Sequence, residues 1–202
     1  MNNVGILAYG SLINEPGEEI HTAIAYCINN VETPFKVEFL RSSRCRDGAP
    51  TLVPAEENSN FGDYVKAKIF VLKEDISEKK ASDILYRREI HKVGSNKEYR
   101  HPLKPGPNSV FICKYEYSQN LKVVLYTKIK GNIDNPTPKT LARLAIKSAC
   151  SKASKPRRDG ISYLIDAKRN GIKTPLMPEY EKEVLRQTNS KNLQEAWEVL
   201  TK

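Results

Sequence analysis

The chain has 202 residues, with 33 Lys and Arg against 24 Asp and Glu, which gives a formal charge of +9 at pH 7. Its 39% hydrophobic and 28% charged residues are typical of a globular protein and argue against a disordered or membrane-embedded chain. No apolar run approaches the length of a membrane span, and no secretory signal is evident. We therefore expect a cytoplasmic protein.

The first predicted element is a short buried strand over residues 4–8 that runs directly into Tyr9-Gly10-Ser11-Leu12. Gly10 permits a tight or left-handed turn in which successive backbone N–H groups converge on a carboxylate or a phosphate. An ordinary glycine turn that closes the strand is the alternative. A P-loop needs Lys after its last glycine, where this chain has Ser11, so a nucleoside triphosphate site is not expected. A serine-hydrolase elbow needs glycine two positions either side of the serine, where this chain has Tyr9 and Ile13.

Further strands are predicted by alternation of apolar and polar side chains. They lie near residues 35–39, 65–71, 111–117 and 121–126, and a hairpin turn joins the last two at residues 118–120. One helix interrupts this β-rich part, begins after a cap at Ser77 and carries an apolar stripe through Ala81, Ile84 and Leu85.

Helical spacing dominates beyond Asn135. Helices are expected after caps at Thr137 and Asp159, and over residues 178–187 and 192–200. Strands followed by helices indicate an α+β fold. With no repeat and no long linker, the chain is predicted to form one domain, in which a helical extension over residues 131–202 packs on a β-rich core over residues 1–130.

Glu89 is the carboxylate that the pattern singles out for chemistry. It lies four and eight residues after Leu85 and Ala81, so it falls on or beside the inward face of the helix that follows Ser77. A carboxylate in such a position can act as a general acid or base. The alternative is a surface glutamate neutralised by Arg87 or Arg88.

Together these features resemble the γ-glutamyl cyclotransferase superfamily, including its ChaC-type and γ-glutamylamine branches. Tyr9-Gly10-Ser11-Leu12 reproduces the N-terminal signature of that family. The run Tyr86-Arg87-Arg88-Glu89, followed by Tyr99, is similar to the segment that carries its catalytic glutamate. Arg46-Asp47-Gly48-Ala49-Pro50 is similar to an Arg-Gly-x-Pro turn of the ChaC branch, with Asp47 inserted. The likeness covers roughly the first 130 residues and leaves the helical extension unassigned to a branch.

The resemblance implies a mixed β-barrel with peripheral helices and a polar cavity. It also implies an enzyme that converts a small anionic γ-glutamyl peptide or amine into 5-oxoproline and a free amine, with no cofactor and no metal. Glu89 would be the acid/base, the loop from Tyr9 to Leu12 would hold the substrate, and Tyr99 would close the cavity or simply pack. Arg44 and Arg46 would bind a distal carboxylate, or would be solvated surface residues. The sequence does not distinguish glutathione from another γ-glutamyl conjugate such as a modified toxin or antibiotic, and it does not give the oligomeric state.

The positive charge is concentrated in the helical extension. Between Pro138 and Pro175 the sequence has ten Lys or Arg residues and only two acidic residues. The ten are Lys139, Arg143, Lys147, Lys152, Lys155, Arg157, Arg158, Lys168, Arg169 and Lys173. No nucleic-acid motif and no series of aromatic residues accompanies them, so the sequence disfavours nucleic acid as a partner. The alternative function is a non-catalytic protein of the same fold that engages RNA or an acidic partner through these helices.

The cysteines and histidines give no metal-binding pattern. Cys27, Cys45, Cys113 and Cys150 are scattered and are predicted to be reduced thiols packed mostly in the core, while His21, His91 and His101 are too far apart to argue a metal site.

Overall fold

The computed structural model describes residues 4–57 and 59–202. Within these residues it has seven strands, which are β1 Val4–Ala8, β2 Ile24–Glu32, β3 Val37–Ser43, β4 Ala49–Pro54, β5 Lys66–Leu72, β6 Val110–Tyr115 and β7 Val123–Ile129. The same residues form six α-helices, which are α1 Glu18–Ala23, α2 Glu78–Glu89, α3 Pro138–Ala149, α4 Gly160–Arg169, α5 Met177–Thr188 and α6 Leu193–Leu200. The α+β prediction is confirmed.

The chain divides into two compact units. The first comprises the residues up to Thr33 together with Lys66–Ile129, and the second comprises Pro34–Val65 together with Lys130–Lys202. The first unit ends at Ile129. Residues 34–65, however, group with the C-terminal helices rather than with the β-rich core.

The first unit is built on a five-stranded sheet in the order β2-β5-β1-β7-β6. The central strand β1 is buried along its whole length, pairs antiparallel with β5 and runs parallel to β7. Among the strands that the structure describes, β2 and β6 are the two edges and no ladder joins them, so the sheet is open and the expected barrel closure is not found. One reason is that β3 and β4 pair with each other in a separate two-stranded sheet.

Helix α2 forms where the sequence predicted it. The Ser77 hydroxyl accepts a hydrogen bond from the Lys80 N–H at 3.2 Å, which satisfies one of the free donors of the first turn. Ala81, Ile84 and Leu85 are buried in the same apolar cluster as Ile6 of β1 and Leu12 of the following loop. This packing places the C-terminal end of α2, which includes Glu89, on the same side of the unit as the loop after β1.

The second unit combines the β3–β4 sheet with α3 to α6. Thr137 and Asp159 cap α3 and α4 as expected. Asp159 is fully buried and accepts hydrogen bonds from the Ile161 and Ser162 N–H groups and from the Trp197 indole N–H at 2.9 Å. One carboxylate therefore fixes the start of α4 and ties it to α6.

Sequence patterns missed α1, β2 and β4. Strand β2 is an edge strand whose side chains are mostly exposed, and its pairing with β5 is interrupted by two register shifts, so it carries no regular alternation. Strand β4 is buried at all six positions and likewise lacks alternation.

All four cysteines are free, but the expectation that they pack mostly in the core is wrong. Cys27, Cys45 and Cys150 are exposed because they lie on an edge strand, in a surface turn and at the end of α3, and Cys113 is half-buried. None of the helices within residues 4–57 and 59–202 has the length and apolar character that crossing a membrane requires.

Candidate functional site

The loop after β1 is a single 3₁₀ turn over Gly10–Leu12. Tyr9 is extended and Gly10 has a φ of 56°, in the left-handed region where glycine is favoured because it has no Cβ. The Leu12 N–H bonds the Tyr9 carbonyl at 3.3 Å and the Ile13 N–H bonds the Gly10 carbonyl at 3.4 Å. The N–H groups of Gly10 and Ser11 come before these bonds and have no partner within the turn. They are the donors that a carboxylate could use.

Two anchors fix this loop on the sheet. The Leu12 side chain is 5% exposed and is buried in the apolar cluster that α2 also enters. The Tyr9 hydroxyl donates to the Thr127 carbonyl of β7 at 3.2 Å. Because β7 runs parallel to β1, this bond holds the tyrosine ring at the end of the sheet from which the loop emerges.

Arg88 connects the loop to Glu89. Its Nη2 donates to the Ser11 hydroxyl at 3.1 Å, and Nε and Nη2 both donate to the Glu15 carbonyl, at 3.0 and 2.9 Å. Its Nη1 donates to Glu89 Oε1 at 2.7 Å. One planar guanidinium therefore holds the loop and the carboxylate in a fixed mutual geometry.

Glu89 is neither free nor a surface residue. Its side chain is 12% exposed and that of Arg88 is 14% exposed, so the ion pair is largely shielded from solvent. Within the described part of the chain, Glu89 Oε2 receives no hydrogen bond, while Oε1 is held by Arg88. Arg88 therefore neutralises Glu89, as the alternative interpretation of the sequence expected of a neighbouring arginine. The pair is not at the open surface, and it leaves Oε2 of Glu89 available.

Arg87, the other neighbouring arginine, points to a different partner. It binds the Glu19 carboxylate of α1 through Nε and Nη2, with a shortest distance of 2.6 Å, and Glu19 also accepts the Gly94 N–H at 2.9 Å. The hydrogen bond from Arg87 lowers the pKa of Glu19 against the opposing effect of burial. This pair fixes the end of α2 against α1, and nothing in the sequence near residue 19 indicates it.

Tyr99 is held in the first unit by two hydrogen bonds and a ring contact. Its N–H donates to Asp83 at 2.7 Å, its hydroxyl accepts the Ile112 N–H at 3.1 Å, and its ring lies 5.5 Å from that of Tyr86. Of the two roles considered from the sequence, packing is the one with contacts, and a contact with substrate stays a prediction. Tyr86 also lines an open cavity of about 490 Å³ beside the end of α2.

Arg44 and Arg46 belong to the second unit. Arg44 is exposed. Arg46 is 6% exposed, donates to the Arg158 carbonyl at 3.3 Å and lies over the Tyr163 ring at 5.0 Å. The inserted Asp47 adopts a left-handed conformation in the turn that follows. A role for either arginine in binding a substrate carboxylate stays a prediction.

Among residues 4–57 and 59–202, no three His, Cys, Asp or Glu side chains gather closely enough to hold a metal ion. The site consists of the loop amides and hydroxyls, Arg88 and Glu89. Such a set can bind an anionic group and can move a proton.

No family model and no curated protein sequence matches the chain. Among solved structures it is similar to a selenomethionine-labelled γ-glutamyl cyclotransferase from yeast that is specific to glutathione. The identity is 11%, the TM-score is 0.44, and the alignment covers 91% of this chain and 97% of the yeast chain. This likeness establishes neither family nor activity, so a function has to be inferred from the residues of the site.

Proposed function

We propose that this protein is a γ-glutamyl cyclotransferase-like enzyme that releases 5-oxoproline and a free amine from a γ-glutamyl peptide or amine. The observation that carries the proposal is the Arg88 side chain, which binds Ser11 of the Tyr-Gly-Ser-Leu loop and Glu89 at the same time. The two motifs on which the family resemblance rests lie far apart in the sequence and are joined by this one guanidinium.

The reaction is intramolecular, so the protein does not have to form a covalent bond with the substrate. The substrate α-amine attacks its own γ-carbonyl carbon, a new C–N bond closes the five-membered ring, and the original amide C–N bond breaks. Holding the two groups in a reactive conformer can contribute an effective molarity of about 10⁵ M or more. The reaction requires no protein nucleophile.

Glu89 supplies the proton transfer in this proposal. Its Oε2 takes a proton from the substrate ammonium group, which frees the amine for attack, and the resulting carboxylic acid gives that proton to the departing nitrogen. The attacking nitrogen loses its second proton to the same carboxylate as the ring amide forms, and the released amine takes up this proton and leaves as an ammonium ion. Transfer by a positioned carboxylate is worth about 10² to 10⁴ in rate. Arg88 keeps Oε1 fixed and so orients Oε2.

The loop holds the substrate α-carboxylate. The Gly10 and Ser11 N–H groups and the Ser11 hydroxyl are donors of the kind that favour an anion. Arg88, already bonded to that hydroxyl, adds positive charge on the same side. The excess of basic residues would also attract a γ-glutamyl substrate, which carries negative charge.

The test is to incubate the purified chain with glutathione, several γ-glutamyl dipeptides and several γ-glutamyl amines, and to measure 5-oxoproline by chromatography. Glu89→Gln keeps an oxygen acceptor for Arg88 but cannot accept the proton, so it is expected to lower the rate about 10²- to 10⁴-fold. The control is Glu116→Gln, an exposed residue of the same unit, which should leave the rate unchanged. A Glu89→Gln enzyme with full activity would exclude the mechanism.

Arg88→Lys tests the link between loop and carboxylate separately. Lysine keeps the charge but has no planar fork, so it cannot bind Ser11, the Glu15 carbonyl and Glu89 together. We expect kcat/KM to fall on the order of tenfold, equivalent to about 1.4 kcal/mol. Arg169→Lys, at an exposed position, is the matched control.

A further inference from the structure

Two sets of cations in the second unit differ in a way that the sequence does not show. Those of α4 and α5 face carboxylates: Lys168 pairs with Glu181, Arg169 with Asp166, Lys182 with Glu179 and Arg186 with Glu183. Paired cations of this kind are locally neutralised, so they contribute little to attraction of a distant anion.

The cations of α3 and the turn after it are different. Between Pro138 and Arg158 the chain contains no Asp or Glu at all. Within the described residues, no carboxylate lies at ion-pair distance from four exposed side chains of this segment, here called the unpaired cations: Arg143, Lys147, Lys152 and Lys155. The nearby Asp47 carboxylate accepts from the Ser151 hydroxyl and the Ala153 N–H instead.

The arrangement on α3 follows from its helical period. Arg143 and Lys147 are four residues apart and share the exposed face, whereas Leu141, Ala142 and Ala145 are buried on the opposite face. Lys147 also lies in the last turn, where a cation stabilises the helix dipole. That role accounts for Lys147 alone, and within the described residues no ion pair engages Arg143, Lys152 or Lys155.

The segment that carries the unpaired cations has charge but no large exposed apolar side chain. None of the large exposed hydrophobic side chains of the described chain lies between residues 138 and 158. Protein interfaces have apolar and aromatic cores, and helices that lie in a membrane surface insert apolar side chains. Lys and Arg side chains can bind a nucleic acid backbone without an apolar centre.

We propose that α3 and the turn after it bind the phosphate backbone of a nucleic acid duplex through the unpaired cations. A duplex fits better than a single strand, because the segment has no aromatic residue on which an unpaired base could stack. The sequence disfavoured nucleic acid on motif grounds. The structure adds the distinction between paired and unpaired cations, and contact with phosphates alone needs no sequence-reading motif.

The test measures binding of the full chain to labelled double-stranded RNA and double-stranded DNA of arbitrary sequence, by fluorescence anisotropy over a range of salt concentrations. Four phosphate contacts predict a slope of log affinity against log salt of about −3.6 for DNA, or a loss on the order of 10²-fold for a fourfold rise in salt. Equal binding of both duplexes indicates backbone recognition only, and preference for RNA indicates contact with its 2′-hydroxyls. Either result supports the proposal.

Two fourfold variants with the same net charge provide the matched comparison. One replaces the unpaired cations: Arg143→Gln, Lys147→Gln, Lys152→Gln and Lys155→Gln. The other replaces the paired cations Lys168, Arg169, Lys182 and Arg186 by Gln. The first should abolish duplex binding and lower the unfolding midpoint only slightly, because all four side chains are exposed and only Lys147 interacts with the helix dipole. The second should retain most of the binding.

Three outcomes would overturn the proposal. They are no duplex binding at low salt, equal loss of binding in the two variants, and binding to phosphatidylserine vesicles or to an acidic polypeptide without binding to either duplex.

Discussion

Two carboxylates, Glu19 and Glu38, are stabilised in opposite ways. Glu19 of the first unit has an arginine partner, Arg87, and its pKa is lowered. Glu38 of the second unit is fully buried, and no cation among residues 4–57 and 59–202 forms an ion pair with it. It accepts hydrogen bonds from the Phe39 N–H at 2.9 Å, the Thr174 hydroxyl at 2.6 Å and the Leu176 N–H at 3.0 Å. Burial outweighs these bonds and raises the pKa of Glu38. Its role is to hold the segment before α5 against β3.

This raised pKa predicts a pH dependence of stability. As pH rises above the ordinary value of 4.5, the unfolded chain loses the Glu38 proton more readily than the folded chain does. The contribution of Glu38 to the free energy of unfolding is therefore greatest below that pH and falls as pH rises through the raised pKa. The measurement is urea unfolding of the wild type and Glu38→Gln between pH of about 4 and about 8.

The quantity to compare is the difference in unfolding free energy between those two proteins. It should decrease with rising pH. The difference between the wild type and Glu179→Gln, an exposed position on α5, should not follow the same trend. A difference for Glu38 that grows with pH would contradict the assignment.

Among the secondary-structure elements, the helices were predictable because their signals are local. Ser77, Thr137 and Asp159 each accept a backbone hydrogen bond at the start of the helix they were predicted to cap. Strands depend on partners distant in sequence. An exposed edge strand and a fully buried strand both lack the alternation by which strands are recognised, and β2 and β4 were missed for that reason.

The approach of α4 to its neighbours gives a prediction about packing. A Cβ on Gly160, the first residue of α4, would lie 2.7 Å from the Ala145 Cα of α3 and 3.2 Å from the Pro50 ring of β4. The backbone of α3 cannot yield as a flexible side chain would, so Gly160→Ala is expected to lower the free energy of unfolding by about 1–3 kcal/mol. Thermal or urea unfolding measures this change.

Gly106→Ala is the control for that experiment. No atom of the described residues lies within 4 Å of a Cβ at this position, so the effect of the substitution should stay within about 0.5 kcal/mol. Equal stability of the two variants would show that α3 and α4 have room between them for a Cβ at residue 160.

In the whole molecule, one segment of the first half of the chain, residues 34–65, belongs to a different unit from the residues on either side of it. The chain leaves the first unit after Thr33, forms β3 and β4, and returns at Lys66 to form β5, which pairs with β2. A side chain of this segment packs against the C-terminal helices. Phe39 lies edge-on to Tyr163 and Tyr180, and its ring centroid is 6.2 and 5.3 Å from theirs. The second unit is thus completed only when residues beyond 130 are present.

Truncation after Lys130 tests this organisation. The truncated chain keeps β3 and β4 but lacks the rings that cover Phe39 and the Tyr163 hydroxyl that accepts the Leu52 N–H. A two-stranded sheet by itself is at best marginally stable in water. Hydrogen exchange is expected to show loss of amide protection over residues 37–43 and 49–54, while the buried strand β1 stays protected. Retained protection of β3 and β4 would support the division at residue 130 expected from the sequence.

The sequence by itself determined the features that depend on neighbours a few residues apart. These are the α+β class, the capped helices, the glycine turn after β1 and the inward position of Glu89. The tertiary structure decided what depends on distant residues: that Arg88 rather than Arg87 pairs with Glu89 and reaches Ser11, that the sheet is open, that residues 34–65 group with the C-terminal helices, and which cations are paired. Periodicity and capping are local. Ion pairs and strand partners depend on chain segments brought together only by folding.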